Sequence, residues 1–457
     1  ASNQAQCQDD SCDLMRRQQT TKTSIDPITT SSDLTSRKRN TGQSMSWKNR
    51  DSRCSDRLWL QRVLLVFIAV RAAFGAAEPR QLLGLRGVSV TKSDGEETSS
   101  SDESDAFAAN FTVPLHAHSG THHVHVYIGS PPQRQTLIVD TGSRAMAFPC
   151  KPCRSCGDHA SPYFDPALST TQRTSKCGNC ALQGISTCSL FGDHCEIHQK
   201  YTEGSSWSAN EVEDIVWLGN SNVLESLEDH MQLATIYAFG CQTSVKGLFQ
   251  KQYADGILGL ARHESSLVAA YFNANVIYRN AFSLCLTMDA GHLSLGGSIP
   301  TQYHREPMKM TPITREHGWY SVEVTQLLVG GIEVTSSENN FSLLQSINSG
   351  KGCILDSGTT DTYLPATLAK RFGKAAVTAT NGLTDFSDRA RQRMYSFAEF
   401  QRLPQITFML ANNVTLTMEP RNYMEGVPLD PVGQASKWQG KKILTNRVYL
   451  EENDGAV

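Results

Sequence analysis

From residue 122 onward, short β-branched and apolar runs alternate with Gly, Pro, Asn and Ser, at 123–128, 135–139, 213–218, 233–240, 282–286 and 293–295. Brief runs broken this often predict strands joined by tight turns, and a mostly β architecture with few helices. The same texture returns at 319–329, 353–356, 406–410 and 414–418, so each half of the chain carries strands for its own lobe. A helix is predicted at 365–375. The lobes are read as 122–300 and 301–457, with the boundary near 297–311. Upstream the pattern is different. Residues 1–44 are polar without apolar periodicity and read as an unstructured or non-native upstream segment. Residues 45–77 run basic, apolar, then small, the order of a secretory signal peptide, although Arg62 and Arg71 around a short apolar core leave an uncleaved anchor open. Residues 78–121 include an acidic Ser-rich run that cannot bury a core, and read as a propeptide or flexible leader.

One short motif is written twice. Asp140-Thr141-Gly142-Ser143 follows the apolar run 136–139, and Asp356-Ser357-Gly358-Thr359 follows 353–355, 216 positions later. A lone Asp-x-Gly is an ordinary turn, because Asp and Gly both favour tight bends. Two copies, each ending an apolar strand and each followed by a hydroxyl residue, point to pairing of two carboxylates. Such a pair cannot ionise fully at close range, so it shares one proton and offers a base beside an acid. That combination can activate a water against a peptide carbonyl and protonate the carbonyl oxygen. Thr141 and Ser357 are placed to bond across to the opposite loop, Ser143 and Thr359 to hold the outer carboxylate oxygens, and the glycines to permit close approach.

Composition narrows the setting. With 457 residues, 39% hydrophobic content and a formal net charge of −3, the chain is long enough for two cored lobes and has no basic stripe for nucleic acid. Thirteen cysteines are present, seven of them between Cys150 and Cys195: Cys150, Cys153, Cys156, Cys177, Cys180, Cys188 and Cys195. The two Cys-x2-Cys pairs approach a zinc-ribbon spacing, but behind a signal peptide disulfides are the expected state and no metal is assigned. Cys353 has no later cysteine to meet. Sequons at Asn110, Asn340 and Asn413 fit a glycosylating compartment. His116, His118, His122, His123 and His125 cluster; their alternation with Val124, Val126 and Ile128 reads as a strand with one polar face, ahead of a metal site.

These motifs resemble the pepsin-like aspartyl peptidases from about residue 122 to the end. Asp255-Gly256-Ile257-Leu258-Gly259-Leu260 is similar to the family's segment behind the first catalytic loop, and 359–365 to the stretch after the second aspartate. Residues 201–205, Tyr-Thr-Glu-Gly-Ser, resemble the flap, with Tyr201 closing over substrate and Glu203 and Gly204 beside it. The insert at 150–195, with Phe239-Gly240-Cys241 and 282–286, resembles the nepenthesin-type branch; Cys241 and Cys285 are read as pairing with each other. Phe148-Pro149-Cys150 together with that flap is most similar to the plasmepsin V-like protist group. The resemblance implies a bilobal fold and an aspartic-type endopeptidase of the secretory pathway, secreted or membrane-anchored. It implies polypeptide substrates, no cofactor, a monomer, and an Arg-x-Leu preference with Glu203 pairing the substrate arginine. Two departures stand out. Ala147 occupies the place of the family's tryptophan, so Tyr201 is expected to lack its usual partner. The chain also stops before the second apolar-apolar-Gly segment, so the second lobe reads as truncated, with any anchor beyond the cut. The rival is a catalytically inactive pepsin-fold binding or inhibitor protein.

Overall fold

The computed structural model describes residues 64–66, 111–201, 204–219, 233–287, 290–297, 307–315, 318–335, 340–427, 438 and 440–452. The fold is mostly β. A large sheet dominates the first half, with Gln133–Asp140 flanked by Thr121–Ile128 on one side and Gly256–Gly259 on the other. Beyond these lie Met146–Pro149, Thr235–Lys246, Ser206–Gly219, Cys195–Lys200 and Ser186–Cys188 in that order.

The pairing behind the first aspartate has a sequence cause. Gly256–Gly259 runs parallel to the end of Gln133–Asp140, matching Ile257 to Ile138, Leu258 to Val139 and Gly259 to Asp140. Its other edge pairs antiparallel with Met146–Pro149. A strand covered on both faces should be largely apolar, and Gly256–Gly259, Met146–Pro149 and residues 135–140 are all buried. Asp255 fixes the entry: its carboxylate accepts the Thr136 N–H at 2.5 Å and the Ser161 N–H at 2.7 Å.

Three apolar clusters follow. One fills the first lobe around Val126, Val139, Phe148, Phe239 and Leu258. A second fills the other lobe around Leu327, Leu364, Phe372, Phe408 and Leu444. The third, with Ala145, Ala147, Ile197, Trp207, Ala209 and Phe249, lies between the loop that follows Asp140 and the 195–219 hairpin. The predicted helix at 365–375 is present, as a short 3-10 turn Ala366–Leu368 continued by Ala369–Thr380. Ser321–Val322 pairs antiparallel with Cys353–Ile354, and Thr362–Pro365 parallel with Val448–Glu452. Among the described residues no strand lies between Cys353–Ile354 and Thr362–Pro365 as Gly256–Gly259 does in the first lobe.

Several expectations change. Phe111–His118, inside the stretch read as leader, is a full sheet strand between Ala290–Leu295 and Thr121–Ile128. Leu64–Val66, within the run read as a signal peptide, pairs antiparallel with Phe282–Leu286. The histidine strand has no open polar face: His123 and His125 are buried, and His116 stacks on both rings, with Tyr253 also against His123. Burial and the neighbouring histidines push the His123 imidazole down to about 4.

The insert is held by four disulfides: Cys150–Cys241, Cys153–Cys156, Cys177–Cys188 and Cys180–Cys195. The expected Cys241–Cys285 pair is therefore wrong. Met146–Pro149 runs alongside Thr235–Lys246 with Phe148 opposite Cys241, which carries Cys150 into bonding range of Cys241. Cys285 is itself disulfide-bonded, though not to Cys241. Cys353 is free and buried, and burial pushes its thiol up to about 12. Glu211, fully buried, accepts from the Ala181 and Leu182 backbone and from the Ser186 hydroxyl, which pins the insert to Ser206–Gly219.

Candidate active site

Both copies of the repeated motif end short strands, and their loops meet face to face. The hydroxyl exchange is reciprocal. The Thr141 N–H donates to Ser357 Oγ at 3.1 Å, and the Ser357 N–H donates to Thr141 Oγ1 at 2.9 Å. Thr141 Oγ1 in turn donates to the Leu355 carbonyl at 2.9 Å, and Ser357 Oγ to the Val139 carbonyl at 2.8 Å. Four bonds thus tie two loops that are far apart in the chain, related by an approximate local two-fold.

The carboxylates obey the same symmetry. Gly142 N–H donates to Asp140 Oδ1 and Gly358 N–H to Asp356 Oδ1, each at 2.8 Å. The outer oxygens are held by hydroxyls, Ser143 Oγ on Asp140 Oδ2 and Thr359 Oγ1 on Asp356 Oδ2 at 2.7 Å. Only glycine fits at the inner turn positions. A β-carbon on Gly142 would strike the Asp356 carboxylate, and one on Gly358 would strike Asp140. Asp140 and Asp356 are therefore side by side.

The environments of the two differ. Asp140 is buried, whereas Asp356 is half-buried. Burial first, and the Asp356 charge second, push the Asp140 carboxyl up to about 8. The pair consequently retains a proton well above the ordinary carboxylate range, while Ser143 and the Gly142 amide oppose the shift by stabilising the ionised form.

Other groups reach the loops across the lobes. Trp319 Nε1 donates to the Gly142 carbonyl at 2.9 Å, and Tyr320 donates its hydroxyl to the Leu260 carbonyl at 2.8 Å. Neither was singled out from sequence; an aromatic pair opening the second set of strands is the signal that could have found them. Gly120, at a hairpin tip with φ of +82°, sits against Thr360.

Tyr201 lies at the end of the 195–219 hairpin, where its N–H donates to the Ser205 carbonyl at 2.9 Å and its carbonyl accepts from Gly204 at 3.1 Å. Its ring packs on Phe249 with centroids 5.1 Å apart. With Ala147 at the usual partner's place, the phenol oxygen is met from elsewhere: Trp207 Nε1 donates to it at 3.2 Å. Glu203 and Asn110 lie outside the described residues. Asn340 opens the helix Asn340–Asn348, and Asn413 is exposed.

Comparison with known proteins now fixes the class. Residues 122–297 match the family described as Xylanase inhibitor N-terminal, and residues 319–432 its C-terminal counterpart. The chain belongs to the pepsin-like aspartyl protease family. Among its relatives, Protein ASPARTIC PROTEASE IN GUARD CELL 2 of Arabidopsis thaliana is 27% identical over 340 residues, covering 72% of this chain and 67% of that protein. Aspartic protease 5 of Toxoplasma gondii is 32% identical over 209 residues, covering 41% of this chain and 21% of the relative. Plasmepsin V of Plasmodium falciparum is 30% identical over 192 residues, covering 40% of this chain and 30% of the relative. The chain thus spans between about a fifth and two thirds of these relatives' lengths.

Proposed function

We propose that this chain is an aspartic endopeptidase whose catalytic pair is Asp140 and Asp356, acting on polypeptides in the secretory pathway. The observation that carries the proposal is the reciprocal loop contact, in which each motif's glycine has room only for a hydrogen because the other motif's carboxylate lies against it. In that arrangement the ionised carboxylate takes a proton from a water held between the pair. The water oxygen attacks the peptide carbonyl carbon, while the protonated carboxyl donates to the carbonyl oxygen. Collapse of the tetrahedral adduct passes a proton to the departing amine and restores the shared-proton state. The hydroxyls of Ser143 and Thr359 hold the outer oxygens, so the inner oxygens face the water.

A finer preference is proposed for substrates carrying Arg-x-Leu, with Glu203 as the carboxylate that pairs the arginine. Its support is the likeness of residues 201–205 to the plasmepsin V-like flap and the identity to plasmepsin V and to Aspartic protease 5. A guanidinium presents a planar fork that a carboxylate can meet with two bonds, which an ammonium cannot do. The disulfide-rich insert supports an oxidising, secretory setting. No helix among the described residues is long and apolar enough to cross a membrane.

The inhibitor-named family descriptions favour a second reading, a binding protein without turnover. One assay separates the readings: cleavage of Arg-containing and Arg-free peptides, with and without a statine-type transition-state mimic, which should grip only a working pair. Wild type is expected to cleave and to be inhibited, Asp140→Asn or Asp356→Asn to lose turnover while still binding peptide, and Glu203→Ala to lose rate selectively on Arg peptides. Turnover retained in either Asn variant overturns the catalytic assignment. Equal loss on both peptide sets overturns the role of Glu203.

A further inference from the structure

We infer that Trp207 is a positioning residue for this reaction: its indole, supplied from the return strand of the same hairpin, sets the hydroxyl of Tyr201 for work over the catalytic pair. The inference rests on the proposed reading of Tyr201 and extends it to a residue that no sequence motif marked.

The local geometry is specific. A phenol can donate one proton and accept at its oxygen, whereas an indole N–H can only donate. With Trp207 Nε1 donating to Tyr201 Oη at 3.2 Å, the phenol oxygen accepts from the indole and its own proton has to point elsewhere. Trp207 is itself almost completely buried, at 2% exposure, and belongs to the cluster that includes Ala145 and Ala147. Tyr201 packs partly buried on that cluster and against Phe249. The donor is therefore fixed in a dense interior next to the first catalytic loop, and one end of the Tyr201 ring is fixed with it.

The surroundings explain why the indole fits. Strand neighbours on this face are small: a β-carbon on Gly240 would lie 3.0 Å from that of Ala209 and 3.2 Å from that of Ala147. Ala147 is fully buried, so a bulky residue there has no outlet to solvent. The line Ala147, Gly240, Ala209 leaves the cluster's volume to the large ring two positions before Ala209. The hairpin is held at its turn as well, where Ser205 Oγ accepts the Leu248 N–H at 2.9 Å. That bond ties the residue after Gly204 to the turn carrying Phe249.

A fixed phenol matters because the reaction is sensitive to small displacements of groups that position substrate. Without the indole donor the phenol oxygen is less closely fixed, and a smaller fraction of encounters closes correctly.

The test is a double-mutant cycle on the full chain, with kcat, KM and melting temperature measured for each variant. Trp207→Phe keeps the ring and removes the donor. It is expected to lower kcat about tenfold, equivalent to roughly 1.4 kcal/mol, with KM changed less than threefold. In a Tyr201→Phe background the same substitution should cost almost nothing further, because the acceptor is gone. Trp207→His, which restores a ring N–H, should recover part of the lost kcat, and it also serves as the donor-bearing variant if Trp207→Phe folds poorly. Equal losses with and without the Tyr201 hydroxyl would overturn the inference, as would an unchanged kcat in Trp207→Phe. Asp140→Asn in the same assay keeps the two readings separate, since its residual turnover tests the catalytic pair and not the indole.

Discussion

At the scale of single residues, the asymmetry between Asp140 and Asp356 has consequences that can be measured. Asp140 is the buried member, and its carboxyl is raised from an ordinary 3.8 to about 8. A group whose folded-state proton affinity exceeds its unfolded one contributes stability that is complete below the unfolded value and is lost as pH rises through the folded one. Melting temperature should therefore fall as pH is raised from about 4 to about 8. Asp140→Asn should flatten that fall and melt higher than wild type at pH 8 while losing turnover. Calorimetric scans of both proteins across this window check the prediction, and parallel curves would contradict it. Peptidase activity should persist across that window and disappear as pH rises through about 8, where the pair loses its shared proton. The aspartates were legible in the sequence, since turn chemistry alone does not require Asp-x-Gly twice, each time behind an apolar run. Their inequality was not, because it depends on how deeply each loop is covered.

At the scale of elements, the sequence spoke clearly wherever a run was bounded by turn residues, and poorly wherever partners were distant. The strand over 133–140 and the helix after Pro365 were readable from period and punctuation. The covered histidine strand was misread, because alternation of His with Val normally signals one wet face, and here residues 123–128 are buried on both faces, with the His116 and Tyr253 rings against the histidines. The disulfide network failed for a related reason. Cys241 meets Cys150 because Met146–Pro149 lies parallel to Thr235–Lys246, a crossover that spacing alone does not encode. That bond closes a stretch of 91 residues containing the whole cysteine-rich insert. Replacing both partners by serine should cost about 2–5 kcal/mol of stability, seen as a lower urea midpoint. An unchanged midpoint would show that the insert is held by its short disulfides and by Glu211. Trp207 escaped notice because nothing in the sequence says which neighbour fills the space that an alanine leaves.

At the scale of the whole molecule, the two lobes are joined at the site by side chains that serve both. Thr141 and Ser357 each bond to the opposite loop's backbone as well as to one another's hydroxyl. Thr141→Val and Ser357→Ala each remove bonds worth about 1 kcal/mol apiece, and in combination should lose less than the sum, because the bonds share partners. Turnover should drop at least tenfold in either variant as the carboxylates lose their register. Measuring kcat across the three variants tests this, and strictly additive effects on kcat would mean that the two loops are set independently. The bilobal organisation was readable from the repeated strand texture. The lobe seam is less tidy than a cut near residue 300, since Gly318 pairs back to Arg262 and Tyr320 lies in the first lobe's core.

The crossed hydroxyls also define where competence begins. A polypeptide folded only as far as its first acidic turn holds a carboxylate whose inner neighbour has not yet been made, and whose threonine has no opposite loop to grasp. On the proposed assignment of the pair, hydrolytic power would switch on only at the docking of the second half. Two separately produced halves would be inert alone and should regain turnover on mixing only to the extent that this clasp forms.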